Sequence, residues 1–393
     1  MNKEIAMEKK IRLGIIGIGN MGSAHAKSVI EGKCPDFVLT AVSDLKEERQ
    51  AWAKETLGED VAFFYSAEEM LDSGLIDACI VSVPHYDHPR LAMACMERGI
   101  HVMVEKPAGV YTKQVEEMNA FAAKHPDVVF AMMFNQRTNH VYRKMKELVS
   151  SGKYGNIRRT NWIVTTWYRS QAYYDSGAWR ATWSGEGGGV LLNQCPHQLD
   201  LWQWICGMPV KVDAKLHYGK WHDIEVEDDV SAYVEYENGA TGVFVTSTGD
   251  ASGTNRFEIQ MDGCQIIVEN DKLILNEYEN LITEHYKIAE NKRSGPKITR
   301  IEPETDGLFE QHPGVINAWG GAILRGEPLI AHGSEGINGL TISNAMHLSS
   351  WLGKPVELPI DKDLYYEELK KRIATSRLKT DVQEQASELP STF

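Results

Sequence analysis

Apolar residues in the first third of the chain come in short blocks separated by amphipathic stretches. The blocks IRLGII (11–16), FVLTAVS (37–43), VAFF (61–64), IDACIVSV (76–83), HVMV (101–104) and VVFAMM (128–133) show little polar alternation, the pattern of strands buried on both faces. Between them KEERQAWAKET, YDHPRLAMACMERG and TKQVEEMNAFAAKH read as helices. Repeated alternation of strand and helix predicts a doubly wound parallel sheet, an α/β domain over residues 1–136.

Past residue 138 the rhythm changes. A helix over 138–151 leads through SGKYGNI into a long strand, and GEGGGVLLNQCPHQLDLWQWICG reads as a return to helix. From 210 to 288 strand follows strand, with turns at ENGA (237–240), GDASGTN and MDGC (261–264). Helical patterns follow at 309–325, 334–351 and 361–379. Residues 137–380 are therefore predicted to form an α+β domain on a large, mainly antiparallel open sheet, and DVQEQASELPSTF (381–393) a polar tail. No repeat or low-complexity linker separates the two domains, so close packing is expected.

Two domains suit 393 residues, 42% of them hydrophobic and 24% charged. A net charge of −14 argues against nucleic acid or an anionic membrane as partner. No apolar run approaches the roughly 20 residues of a membrane span, and MNKEIAMEKK lacks the apolar core of a signal peptide. A cytoplasmic protein with a small-molecule partner is expected. The six cysteines are scattered, without a C-x-x-C pair or a Cys/His cluster. Reduced thiols and no metal site follow.

Chemistry enters with GIGNMG (17–22), which follows the first strand at once and opens a helix. Asp44 stands at the end of the second strand, 22 residues past Gly22. This is the context in which three glycines bind a dinucleotide. Gly17 makes the turn, Gly19 admits the pyrophosphate, Gly22 lets helix pack on strand, and the helix N-terminus faces the anion. Asp44 would accept the adenosine ribose hydroxyls and repel a 2′-phosphate, which favours NAD over NADP; Lys46 and Arg49 lie near enough in sequence to pair with such a phosphate. A second feature is the triplet Glu105, Lys106 and Pro107 directly after the strand HVMV. Burying an ammonium is costly unless it is paired. At the carboxyl end of a parallel strand, where open α/β sheets bind ligands, Glu105, cofactor and substrate would supply the partners.

With these motifs in order, the chain resembles the glucose-fructose oxidoreductase, inositol dehydrogenase and MocA (Gfo/Idh/MocA) family over nearly its whole length. GIGNMGSAH is similar to the family's opening motif, VSVPHYDHPRLA to its segment with Pro84 and His88, and EKP to its best-known triplet. SGKYGNI is similar to the entry into its second domain, and GGGVLLNQCPHQLDLWQWICG to its Gly-Gly-Gly, Asp, Gly, His, Asp segment. The resemblance implies a Rossmann domain, a large open sheet, a nicotinamide cofactor at their junction, dimers or tetramers formed through the sheets, and sugars or cyclitols as substrates. It places Gly17, Ile18, Gly19, Asn20, Met21, Gly22, Asp44, Val83, Pro84, His85, His88, Glu105, Lys106, Asn135 and Arg180 at the cofactor. Lys106, His197 and Asn193 become the catalytic candidates, with Tyr168 and Trp179 beside them at the substrate.

Imidazole titrates near neutrality, so His197 can take and return the hydroxyl proton. The sequence departs from the family four residues earlier, where Asn193 stands in place of an aspartate, and at Cys195, which replaces a glycine. Asparagine orients partners by hydrogen bonds but cannot accept a proton. His197 then works alone or with Asp200, three residues on. Pro196 is expected in the first helical turn. Trp162, Trp167, Tyr168, Tyr173, Tyr174, Trp179 and Trp183, with Arg169 and Arg180 among them, crowd one segment. Most suit packing in a sheet, and some would suit a sugar ring. The expected activity is NAD-dependent oxidation of a ring hydroxyl of a sugar, glycoside or cyclitol. Its alternatives are glycoside C3 oxidation with cofactor recycling and loss of the aglycone, and a non-catalytic nicotinamide sensor.

Overall fold

The computed structural model describes residues 10–380 and 382; the first nine residues, and all of the 381–393 tail except residue 382, lie outside it. Two sheets organise the chain. The first is six-stranded in the order β3-β2-β1-β4-β5-β6. Its strands are β1 (Ile11–Ile16), β2 (Phe37–Ser43), β3 (Ala62–Phe64), β4 (Ala78–Val81), β5 (His101–Val104) and β6 (Phe130–Met132), and every pairing is parallel. β4 is buried along its whole length, and β1 and β5 at all but one position each, as apolar runs covered by helices on two faces must be. The order reverses between β1 and β4, so their carboxyl ends open a crevice where ligands bind in such sheets.

The second sheet is nine-stranded, in the order β14-β13-β12-β11-β7-β10-β9-β8-β15. It comprises β7 (Ile157–Val164), β8 (Lys211–Tyr218), β9 (Glu227–Glu235), β10 (Thr241–Ser247), β11 (Asn255–Met261), β12 (Cys264–Glu269), β13 (Lys272–Tyr278), β14 (Ile298–Ile301) and β15 (Val356–Glu357). Only β7 and β10 pair in parallel; the other pairs are antiparallel. Buried and exposed positions alternate along β8 and β9. One face is thus covered by the helices Pro196–Cys206 and Gly336–Leu352, and the other carries partly exposed Ile163, Tyr233 and Val243.

Three features differ from the sequence reading. GEGGGVLLNQC is a chain of turns, and the helix begins only at Pro196, which does sit in its first turn. The division at residue 136 is crossed. Helix Gln311–Arg325 lays Val315, Ile316 and Trp319 into the core of the first sheet. Trp319 stacks on Phe37 at 5.4 Å and bonds the Val129 carbonyl at 3.1 Å. Met132 donates its N–H to the Ala331 carbonyl at 3.2 Å. Third, Asp200 does not support His197: it pairs with Arg137 at 2.7 Å, both side chains 1% exposed, and Arg137 also reaches Glu335. Two parallel N–H bonds to a guanidinium hold this carboxylate better than a neighbouring imidazole would.

The cysteines among the described residues are free thiols, all but Cys206 buried. No helix there is long and apolar enough to cross a membrane, and no group of three or more His, Cys, Asp or Glu is placed to hold a metal ion.

Candidate active site

The glycines after β1 divide the work. Gly17 has φ +83, and a Cβ there would lie 2.3 Å from the Ser82 carbonyl oxygen, so no side chain fits. At Gly22 a Cβ would fall 1.9 Å from the Gly17 carbonyl; the helix Asn20–Ile30 is pressed onto its own turn. Gly19 has nothing within 4 Å of its Cβ position. It caps a helix that has neither a side-chain cap nor an acidic residue in its first turn, leaving its N–H groups to an anion. Met21 and Asn20 begin that helix. Asp44 lies just past β2, where its carboxylate accepts the N–H groups of Ile18 at 3.0 Å and Lys46 at 3.1 Å. It is tied to the glycine loop with lone pairs to spare.

β4 delivers Val83 and Pro84 across the crevice. His88 bonds the Val83 carbonyl and the Pro107 carbonyl, each at 2.7 Å, and so joins the ends of β4 and β5 instead of offering a free nitrogen. Burial lowers its pKa, against both carbonyls. His85 reaches the Glu186 carbonyl at 3.3 Å; burial, then the charges of His88 and Lys106, hold it well below the ordinary imidazole range. Asn135, after β6, is fully buried with both amide atoms unpartnered. Such groups cost about 1–3 kcal/mol each unless a ligand or water meets them.

β5 ends in the acid and the amine. Burial pushes Glu105 up, but His25 at 2.6 Å and the charges of His25, His312 and Lys106 outweigh it and hold the carboxylate at about 2. Its other oxygen accepts the Lys106 N–H at 3.1 Å. The Lys106 ammonium crosses to the second domain and donates to the Asn193 carbonyl at 3.1 Å. Burial lowers its pKa, and Glu105 and Glu186 counteract this. His197, 5% exposed and set edge-on to Phe134, opens the helix Pro196–Cys206. Burial first, and the Lys106 charge second, place its pKa well below the usual value. At neutral pH the imidazole is neutral, the form that accepts a proton.

The Gly-rich turns hold these groups from a distance. Glu227, fully buried, accepts the N–H groups of Gly189 at 2.8 Å and Leu191 at 3.0 Å. Asn193 Nδ2 donates to Glu186, whose other oxygen takes the Ala181 N–H at 2.6 Å. Arg180 lies 3.9 Å from Glu186, over the rings of Tyr173 and Trp179. Its Nε is buried and unpartnered. Trp179 meets His85 edge-on at 6.2 Å. Tyr168 is 52% exposed, next to Arg169, which lies over Tyr173. Trp162, stacked on Phe257 at 4.2 Å, Tyr174 and Trp183 belong to the core. Sequence reasoning missed Glu186, Glu227, His25 and His312. Glu186 immediately precedes the three glycines and His25 falls three residues past Gly22, so adjacency to the motifs was the available signal for those two.

The space over Gly19, the uncapped helix, the tethered Asp44 and the orphaned Asn135 amide fit a dinucleotide. The fold and this crevice define a nucleotide-dependent oxidoreductase. The family described as "Oxidoreductase family, NAD-binding Rossmann fold" matches residues 11–133, and the "GFO/IDH/MocA C-terminal domain" matches residues 142–266. The chain belongs to the Gfo/Idh/MocA family of oxidoreductases, and its first domain is NAD-binding. It is 27% identical to myo-inositol 2-dehydrogenase of Thermotoga maritima over 66% of this chain and 75% of that protein. It is 24% identical to scyllo-inositol 2-dehydrogenase (NAD(+)) of Bacillus subtilis over 60% and 67%. Among solved structures, the WlbA dehydrogenase of Chromobacterium violaceum, in complex with NADH and UDP-GlcNAcA, superposes with a TM-score of 0.76 at 26% identity, covering 90% of this chain and 98% of that one. Levoglucosan dehydrogenase, at 20% identity and a TM-score of 0.74, covering 89% of this chain and all of that one, shares the fold.

Proposed function

We propose that the protein is an NAD-dependent dehydrogenase that oxidises a secondary ring hydroxyl of a sugar, glycoside or cyclitol. The reading is supported by one observation: the Lys106 ammonium, just past β5, donates to the backbone carbonyl of Asn193, four residues before His197 in the second domain, and its charge acts on that imidazole. Bound NAD+ supplies the hydride acceptor. The chain supplies the rest. Lys106 donates a hydrogen bond to the reacting oxygen and stabilises the alkoxide charge as the C–H bond breaks. His197 takes the hydroxyl proton, leaving a ketone. Arg180, Trp179 and Tyr173 form a wall of planar groups that suits the C–H face of a sugar ring and its polar rim. Relatives named as inositol dehydrogenases, and the WlbA dehydrogenase in complex with UDP-GlcNAcA, support the substrate class.

The test is incubation with NAD and a panel of myo-inositol, scyllo-inositol, levoglucosan, free hexoses and aryl glucosides, read at the NADH absorbance band. His197→Ala and Lys106→Met should each lower turnover by about two orders of magnitude or more. Undiminished activity in His197→Ala sinks the assignment. Aglycone release without NADH accumulation would move the reading to the recycling reaction, and NAD binding without turnover of any panel member to a sensor.

A further inference from the structure

Glu186 is buried to 1% exposure one residue before the glycine run, and no step above uses it. Both its oxygens are acceptors: one takes the Ala181 N–H, the other Nδ2 of Asn193. A carboxylate cannot accept from a carbonyl, so this bond selects one of the two orientations of the Asn193 amide. Nδ2 faces Glu186, and Oδ1 is left as the amide's acceptor. The same residue's backbone carbonyl holds the Lys106 ammonium. Arg180, 3.9 Å away, balances the carboxylate's charge.

We propose that Glu186 is a positioning residue that turns Asn193 so that its Oδ1 accepts a hydrogen bond from a ring hydroxyl beside the one oxidised. This rests on the dehydrogenase reading. Asparagine at 193 thereby retains the acceptor that an aspartate would offer, while the anion itself is sequestered beside Arg180. The substrate hydroxyl at this position must donate, which selects a ring that carries a second hydroxyl beside the reacting one.

A charge swap tests it. Glu186→Gln presents a donor to Asn193 and turns it over; Asn193→Asp sets two carboxylates in contact. Each should lower kcat/KM on the best panel substrate by about tenfold or more. The double variant Glu186→Gln with Asn193→Asp restores one carboxylate, one amide and one N–H bond between them, and should return to within about threefold of the parent. Losses that multiply in the double variant, or singles that lose nothing, overturn the proposal. A second reading needs no substrate. In protein labelled with 15N at asparagine, the Asn193 side-chain amide signals, assigned by their loss in Asn193→Ala, should show one proton shifted downfield, and Glu186→Gln should abolish that shift. Persistence of the shift in Glu186→Gln refutes the bond. Absence of turnover on the whole panel would count against the dehydrogenase reading alone, since the amide signals still decide the orientation.

Discussion

Two glycines in the same loop should fail in opposite ways. At Gly19 an added methyl group meets no protein atom within 4 Å, and the backbone there is extended, so alanine costs the folded chain only about 0.5–1 kcal/mol as a poorer helix cap. The methyl stands in the space left for the pyrophosphate. A loss of even one close N–H to phosphate contact is worth about 1.4 kcal/mol or more, a tenfold rise in the NAD dissociation constant. At Gly22 the methyl would lie 1.9 Å from the Gly17 carbonyl oxygen, which forces helix and turn apart at about 1–3 kcal/mol. Gly22→Ala therefore loses stability first, and affinity only as the loop shifts. Denaturant unfolding without cofactor, read by tryptophan fluorescence, and calorimetric titration with NAD separate the two. Wild-type affinity in Gly19→Ala would refute the placement of the cofactor over this loop. An unchanged unfolding midpoint in Gly22→Ala would refute the packing argument.

Three further outcomes are expected. His197 must be neutral and Lys106 charged, and burial lowers both pKa values, so kcat/KM should be level at pH 7, with its acid limb below 6.5 and its alkaline limb below 10.5; an acid limb above pH 7 contradicts this. Asp200→Asn leaves the buried Arg137 with Glu335 as its one carboxylate partner and should destabilise the protein by about 3 kcal/mol while the acid limb of the pH profile stays in place; a moved limb would reinstate Asp200 as the partner of His197. His312 is held at about 4 by burial and by the neighbouring His25 charge, so between pH 6.5 and 4 the unfolded chain binds the extra proton. Stability should fall by about 3 kcal/mol as the pH drops through that window, and His312→Gln should remove that part of the loss in acid unfolding curves.

The strands of the first sheet were legible because they are buried on both faces, and β1 and β2 run over the residues that the apolar blocks mark. Glycines 17, 19 and 22 were legible for a local reason too: each answers a demand of its own turn. The Gly-rich segment before Pro196 was misread as helix because its backbone is held by Glu227, 38 residues from Gly189. Asp200 looked available to His197 on a helical face, yet its partner is Arg137, 63 residues away. Helix Gln311–Arg325 showed its apolar stripe but not the sheet that receives it.

Local periodicity and turn chemistry act within a few residues, so the order of strands and helices, the dinucleotide loop and the lysine at the end of β5 were determined by the chain's own pattern. Which carboxylate pairs with which cation, where Glu186 meets Asn193, and that Lys106 reaches across to the second domain were decided only when distant segments packed. Burial makes an unpaired charge costly but says nothing in sequence about which partner will satisfy it; that choice belongs to the tertiary structure.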